Sequence, residues 1–177
     1  MRKNVIWLLV AAVLLVAVSV SATVALLVSS SNPVVNTFTV GGVSITLKET
    51  TGSKYIMTPG VAVAKNPKVT VLAGSEKCWL FIKVEKENNF DTFCTYEIQN
   101  GWIALEGQEG VYYQMVGKNS GDQVVQVLKN DKIFIKETLT EEQLNAVTDH
   151  PDLIFTAYAA QSDGLATATA AWQALNQ

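Results

Sequence analysis

The chain has 177 residues, of which 49% are hydrophobic and 16% charged, with a formal net charge of −3. That charge content is well below the roughly 25% of an ordinary soluble domain, and the apolar excess excludes a disordered, fully solvated chain. Two of the cations, Arg2 and Lys3, sit at the extreme N-terminus; the rest of the chain sets 11 cations against 16 anions, a balance that repels nucleic acid rather than neutralising its phosphates.

The first element is a leader. Arg2 and Lys3 precede a run from Val5 to Val28 whose only polar residues are Ser19, Ser21 and Thr23, the anatomy of a secretory signal peptide. As a helix this run would span roughly 36 Å, enough to cross a hydrocarbon core of about 30 Å, so an uncleaved anchor is the competing reading. Small residues favour cleavage. A peptidase pocket that accepts only small side chains finds Thr23 and Ala25 in Thr23-Val24-Ala25, with Val20-Ser21-Ala22 and Ala22 as the alternative. The expected division is a signal peptide over 1–25, an N-terminal extension over 26–36 and one β-sandwich domain over 37–177. No internal repeat and no linker divides the last of these.

Beyond Pro33 the alternation of half-buried strands begins. Phe38 and Val40 share one parity, and Val43, Ile45 and Leu47 the other, with a bulge or kink expected at Gly41-Gly42. Val69, Val71 and Ala73 alternate with Lys68 and Thr70; Cys78, Leu80, Ile82 and Val84 share a face; Cys94, Tyr96 and Ile98 alternate with Thr95, Glu97 and Gln99. Glu87 to Asp91 reads as a turn. Trp102–Leu105 and Val111–Val116 flank a glycine-bearing turn, and Val124–Leu128 and Ile133–Ile135 flank Lys129-Asn130-Asp131-Lys132, which reads as a hairpin. Short strands at this spacing predict an all-β, antiparallel β-sandwich.

Two helices interrupt the pattern. Thr140-Glu141-Glu142-Gln143 is a capping box, with Leu139 and Leu144 as its staple, and Pro151 ends the helix by His150. Leu153 to Gln161 is a strand apolar on both parities, hence a central one. Leu165, Ala168, Trp172 and Leu175 then form one stripe of a C-terminal helix.

Motifs for chemistry are missing. The chain has one histidine, His150, and no H-E-x-x-H, G-x-S-x-G, P-loop or G-x-G-x-x-G sequence; no catalytic residue, cofactor or metal ligand is assigned. Asp91, Glu97, Glu106 and Glu109 lie near hairpin ends, where two of them would form an acid/base pair or all four would serve as solubilising charges. Cys78 and Cys94 are a candidate disulfide that export would permit, closing a loop worth about 3 kcal/mol. A simple hairpin pairs Cys78 with about Gln99 instead, so two free buried thiols are the alternative. Trp79, Phe81, Tyr112 and Tyr113 flank the apolar parities and either stack on a partner or fill core ends.

The leader ending Thr23-Val24-Ala25, then Asn36-Thr37-Phe38-Thr39-Val40-Gly41 and Val43-Ser44-Ile45-Thr46-Leu47, resembles the start of TasA/camelysin-type proteins exported with a SipW-class signal peptide. Lys65–Val71, Cys78–Val84, Phe155–Gln161 and Ala171-Trp172 extend the resemblance over most of the chain. It implies a jelly-roll-like β-sandwich with one short internal helix and a C-terminal helix, secretion, and assembly into fibres of an extracellular biofilm matrix. In such fibres the N-terminal segment of one subunit adds as a strand to the next; here Leu26, Leu27, Val28, Val34 and Val35 would be the donor strand, with Pro33 as a departure because it cannot donate to a ladder. An extended peptide satisfies an open sheet edge, and a head-to-tail contact propagates. The expected function is thus that of a secreted, non-enzymatic, self-assembling structural protein whose partners are its own copies, the signal peptidase during export and matrix polysaccharide, with no nucleic acid. The alternatives are a monomeric cell-surface module binding polysaccharide or a host molecule, and a secreted camelysin-like metallopeptidase. The chain offers no matching zinc ligands for the last.

Overall fold

Alternating apolar residues build strands, and a computed structural model, describing residues 28–30, 35–40, 42–51 and 54–176, arranges them in layers. In chain order they are β1 (Val28–Ser30), β2 (Val35–Val40), β3 (Ile45–Lys48), β4 (Lys54–Ile56), β5 (Ala62–Ala64), β6 (Lys68–Val71) and β7 (Cys78–Glu87). The one-turn helix α1 (Phe90–Phe93) precedes β8 (Cys94–Ile98), β9 (Ile103–Ala104), β10 (Val111–Val116), β11 (Gln123–Gln126) and β12 (Leu128–Ile135). Helix α2 (Glu141–Asn145), strand β13 (Asp152–Gln161) and helix α3 (Ala168–Leu175) complete the order.

The main sheet runs β2-β13-β7-β10-β9. The second layer has two halves, β11-β6-β3 and β5-β12-β8, which form one surface. Val127 joins β11 to β12 and its amide donates to the Pro67 carbonyl at 3.2 Å, while the Lys65 amide donates to Asp131 at 2.8 Å. All pairings among the described residues are antiparallel except β2 with β13. The fold is therefore an all-β sandwich with short helices. A small separate sheet pairs β1 with β4, antiparallel, in register Val28↔Ile56.

Three local readings change. In place of the kink expected at Gly41-Gly42, β2 belongs to the main sheet and β3 to the second layer, so the parity change is a crossing between layers; Gly41 itself lies outside the described residues. Lys129 to Lys132 makes no hairpin. Leu128 faces Ile98 and Ile133 faces Tyr96 on the same neighbour, so these residues are a bulge within β12, absorbed by Asn130 and Asp131 at φ 57° and 53°. A reversal there would have thrown Ile133 and Ile135 off the inner face, where both are buried. Third, the expected turn at Glu87–Asp91 runs into α1, so the internal helices number two rather than one; Asn88 and Asn89 at φ 51° and 58° turn the chain into it.

The inner core lies between the layers and is chiefly aliphatic, with Leu80, Ile82, Val69, Val71, Val127 and Leu128 fully buried. A second cluster lies on the opposite face of the main sheet. There α3 presents Ala168, Ala171 and Trp172 to Phe81, Val111 and Ala160, with Leu165 and Leu175 at its ends. The stripe expected for the C-terminal helix is the face that covers the sheet. The capping box at α2 forms as the sequence requires: Thr140 Oγ1 accepts from the Gln143 amide at 3.2 Å, and the Thr140 amide donates to Gln143 Oε1 at 2.9 Å.

Candidate functional site: the N-terminal strand and the open edges

The donor-strand residues fall in two places. Val28 lies in β1, opposite Ile56, and Val35 opens β2, opposite Phe155. Leu26, Leu27 and Val34 lie outside the described residues, as do the cleavage candidates Ala22, Thr23 and Ala25. β2 is the terminal strand of the main sheet and lies parallel to β13 from Val35↔Phe155 to Val40↔Ala160. No tight turn can join parallel neighbours, and these two strands come from opposite ends of the chain. The slot beside β13 thus constrains the strand that fills it by register and side chains, not by a connecting loop. At the end of β2 the Gly42 amide donates to Gln161 Oε1 at 2.9 Å and the Glu76 amide to the Gly42 carbonyl at 3.0 Å, fixing where the chain leaves the sheet.

On the other side of the main sheet the last strand, β9, is two residues long and faces only Tyr112 and Tyr113 of the six-residue β10. The reason is a crossover. The Gln99 amide donates to Val127 at 2.9 Å and Trp102 Nε1 to the Gln126 carbonyl at 2.8 Å, after which the chain leaves the second layer for the main sheet. Between β10 and β11 this opens a cleft of about 470 Å³ lined by Lys68, Gln99, Asn100, Gln114, Val124 and Gln126. Val124, 62% exposed, is the large exposed apolar side chain in its lining.

A second cleft, of about 590 Å³, holds Lys83, Glu85, Lys86, Asp91, Tyr96, Glu109 and Tyr112. It brings together Asp91 and Glu109 of the four carboxylates considered above, while Glu97 pairs with Lys129 elsewhere. Both Asp91 and Glu109 are exposed, and Asp91 is held by Lys86 at 2.8 Å, so neither has the desolvated setting that separates an acid from a base. Burial, then the neighbouring Tyr112, raises the Tyr96 hydroxyl well above its ordinary value. Among the described residues no three His, Cys, Asp or Glu side chains gather to hold a metal, and no helix is long and apolar enough to cross a membrane. His150 is half-buried, and its carbonyl accepts from Asn88 Nδ2 at 2.9 Å.

The aromatic residues divide by face. Trp79, Phe81 and Tyr113 lie on the outer face and pack beneath or beside α3: Phe81 meets Trp172 at 5.2 Å between ring centroids, and Trp79 meets Tyr113 at 5.8 Å. Trp79 Nε1 donates to the Leu165 carbonyl at 2.9 Å. Tyr112 packs against the inner core.

The cysteines do not meet. Cys78 opens β7 and Cys94 opens β8, both free and buried. The ten residues of β7 cover about 30 Å at roughly 3.3 Å per residue, and α1 reverses the chain only after that full length. A disulfide needs Cα atoms within about 7 Å. The candidate bridge gives way to two separate thiols, which burial pushes up to about 11 for Cys78 and about 12 for Cys94.

Comparison with protein-family models, with curated proteins and with solved structures finds no match for this chain.

Proposed function

We propose that the chain is an exported, non-enzymatic structural protein, TasA/camelysin-like in kind, whose copies assemble head to tail into an extracellular or cell-surface fibre. One observation carries the reading: the N-terminal strand β2 fills a parallel slot at the edge of the main sheet with no local connection to its neighbour β13. The backbone groups that β13 offers are satisfied equally by β2 of its own chain or of another. When each copy donates that strand to the next rather than swapping it reciprocally, the contact does not close on itself, and such contacts propagate. The leader supplies export, and the segment from Leu26 to Asn36 supplies the reach.

The test is to compare purified residues 26–177 with 41–177, which lacks all of β2, by electron microscopy and light scattering. The longer form is expected to polymerise and the shorter to stay monomeric. A longer form that remains monomeric at high concentration, or a shorter form that polymerises equally, overturns donor-strand assembly. The amide-lined cleft at Gln99, Asn100 and Gln114 favours the second reading, a monomeric module for polysaccharide, because planar amides offer both donors and acceptors to sugar hydroxyls. Saturable glycan binding by the monomer, lost in Gln114→Ala, would support it.

A further inference from the structure

The ion pairs Lys86–Asp91, Lys118–Glu76 and Lys129–Glu97 lie at the surface. The pair formed by Glu49 and Lys65 does not: their side chains are 3% and 9% exposed. Lys65 Nζ sits 3.1 Å from both carboxylate oxygens and 5.6 Å from the centroid of the Phe155 ring. Both side chains are held by a clasp of the two loops that carry them. The Thr50 amide donates to Asn66 Oδ1 at 2.9 Å, Asn66 Nδ2 to Thr50 Oγ1 at 2.8 Å, and the Asn66 amide to Thr51 Oγ1 at 3.3 Å. The Thr51 hydroxyl in turn donates to Glu49 Oε1 at 2.9 Å.

We propose that Glu49 and Lys65 condense to an intramolecular amide, a permanent cross-link between the loop after β3 and the loop after β5. The atoms balance without any co-reactant. A proton passes from the ammonium to Oε2, giving a neutral amine and a neutral acid. The Nζ lone pair attacks the carboxyl carbon, the bond from that carbon to Oε2 breaks, and the amine's second proton leaves with this oxygen as one water. The Nζ–Cδ bond remains, and nothing is oxidised or reduced.

Three features favour the step at this site. Both side chains are almost wholly buried, so little water stands between the amine and the carboxyl group. Holding the amine 3.1 Å from both carboxylate oxygens replaces a bimolecular encounter with an intramolecular one. The Thr51 hydroxyl already points at Oε1, where negative charge develops in the tetrahedral intermediate. Exclusion of water from the same place opposes hydrolysis of the product. The cross-link would lock the end of the sandwich where Phe155 receives Val35, the first residue of β2.

Mass spectrometry of the isolated protein, with its N-terminus read by sequencing, tests this whether or not the protein polymerises. The intact chain is expected to weigh one water less than its sequence. Trypsin is expected to yield a branched peptide joining Glu49–Lys54 to Tyr55–Lys68, with no cleavage after Lys65. Lys65→Arg is expected to restore the full mass. Should that variant fail to fold, the unaltered protein decides alone. An intact mass equal to the sequence, with a free peptide ending at Lys65, overturns the inference. So does a water loss that maps to Asp163-Gly164, where a succinimide would give the same intact mass.

Discussion

The main sheet is buried on both faces, by different means. Its inner face meets a second sheet, and the space between is filled by many medium-sized aliphatic residues, Leu80, Ile82 and Val84 from β7 among them. Its outer face meets one helix of eight residues. A lone short helix covers a narrow strip, so large side chains must fill the volume around it: Phe81, Tyr158 and Trp172 stand with ring centroids 5.2 and 5.0 Å apart across Trp172. Where the strip ends, Ile103 and Met115 remain exposed. The inner core is distributed over many contacts, and the outer one concentrated in a few.

Truncation should expose that contrast, and it carries the largest expected effect. Trp172→Ala removes the centre of the outer cluster and should cost about 3–5 kcal/mol, read by chemical denaturation. Ile82→Val deletes one methylene of the inner core, where neighbours share the loss, and should cost about 0.5–1.5 kcal/mol. Equal costs would break the distinction between a distributed and a concentrated core.

A second difference is chemical. The inner core holds both thiols, and burial raises them from an ordinary value of 9.0 to about 11 at Cys78 and about 12 at Cys94. Below pH 9 both folded and unfolded chains keep the thiols protonated, so their contribution to stability is fully present. Above it the unfolded chain ionises first, and stability falls until the folded values are passed. The expected loss is on the order of 2–4 kcal/mol per thiol. Cys94→Ala should flatten the alkaline limb of a stability profile measured from pH 8 to 12, even if the substitution lowers the plateau below pH 9. An unchanged slope would mean that other groups, Tyr96 foremost, govern alkaline unfolding.

The inner core was legible because one face of each strand alternates: Cys78, Leu80, Ile82 and Val84 are all buried. The outer core was legible only in halves. The stripe Leu165, Ala168, Trp172 and Leu175 and the aromatic parity Trp79, Phe81 and Tyr113 are both visible in the sequence, but no local signal says that they face each other. Pairing between distant segments is invisible for the same reason, and with it the parallel β2–β13 edge that carries the proposed function. The sequence does not distinguish the bulge at Asn130-Asp131 from a hairpin, because these residue types occupy left-handed positions in bulges and in hairpin turns alike. The Glu49–Lys65 pair left no trace at all, since a buried charge looks like a surface charge until its partner is placed.

The helix caps give the smallest effect and the finest discrimination. Thr140 caps α2 through a reciprocal box, and Thr167 caps α3 by accepting from the Ala170 amide at 3.2 Å. Either threonine to alanine should cost about 1 kcal/mol of helix stability. The consequences should differ, because α2 buries only Leu144 among its own residues whereas α3 buries Ala168, Ala171 and Trp172. Fraying of α2 is expected to stay local, raising amide exchange around Gln143 and leaving the global midpoint nearly unmoved. Fraying of α3 lifts the cover from Phe81 and should appear in the global midpoint itself. Equal midpoint shifts from Thr140→Ala and Thr167→Ala would mean that α2 is as much a part of the cooperative core as the helix over the aromatic face.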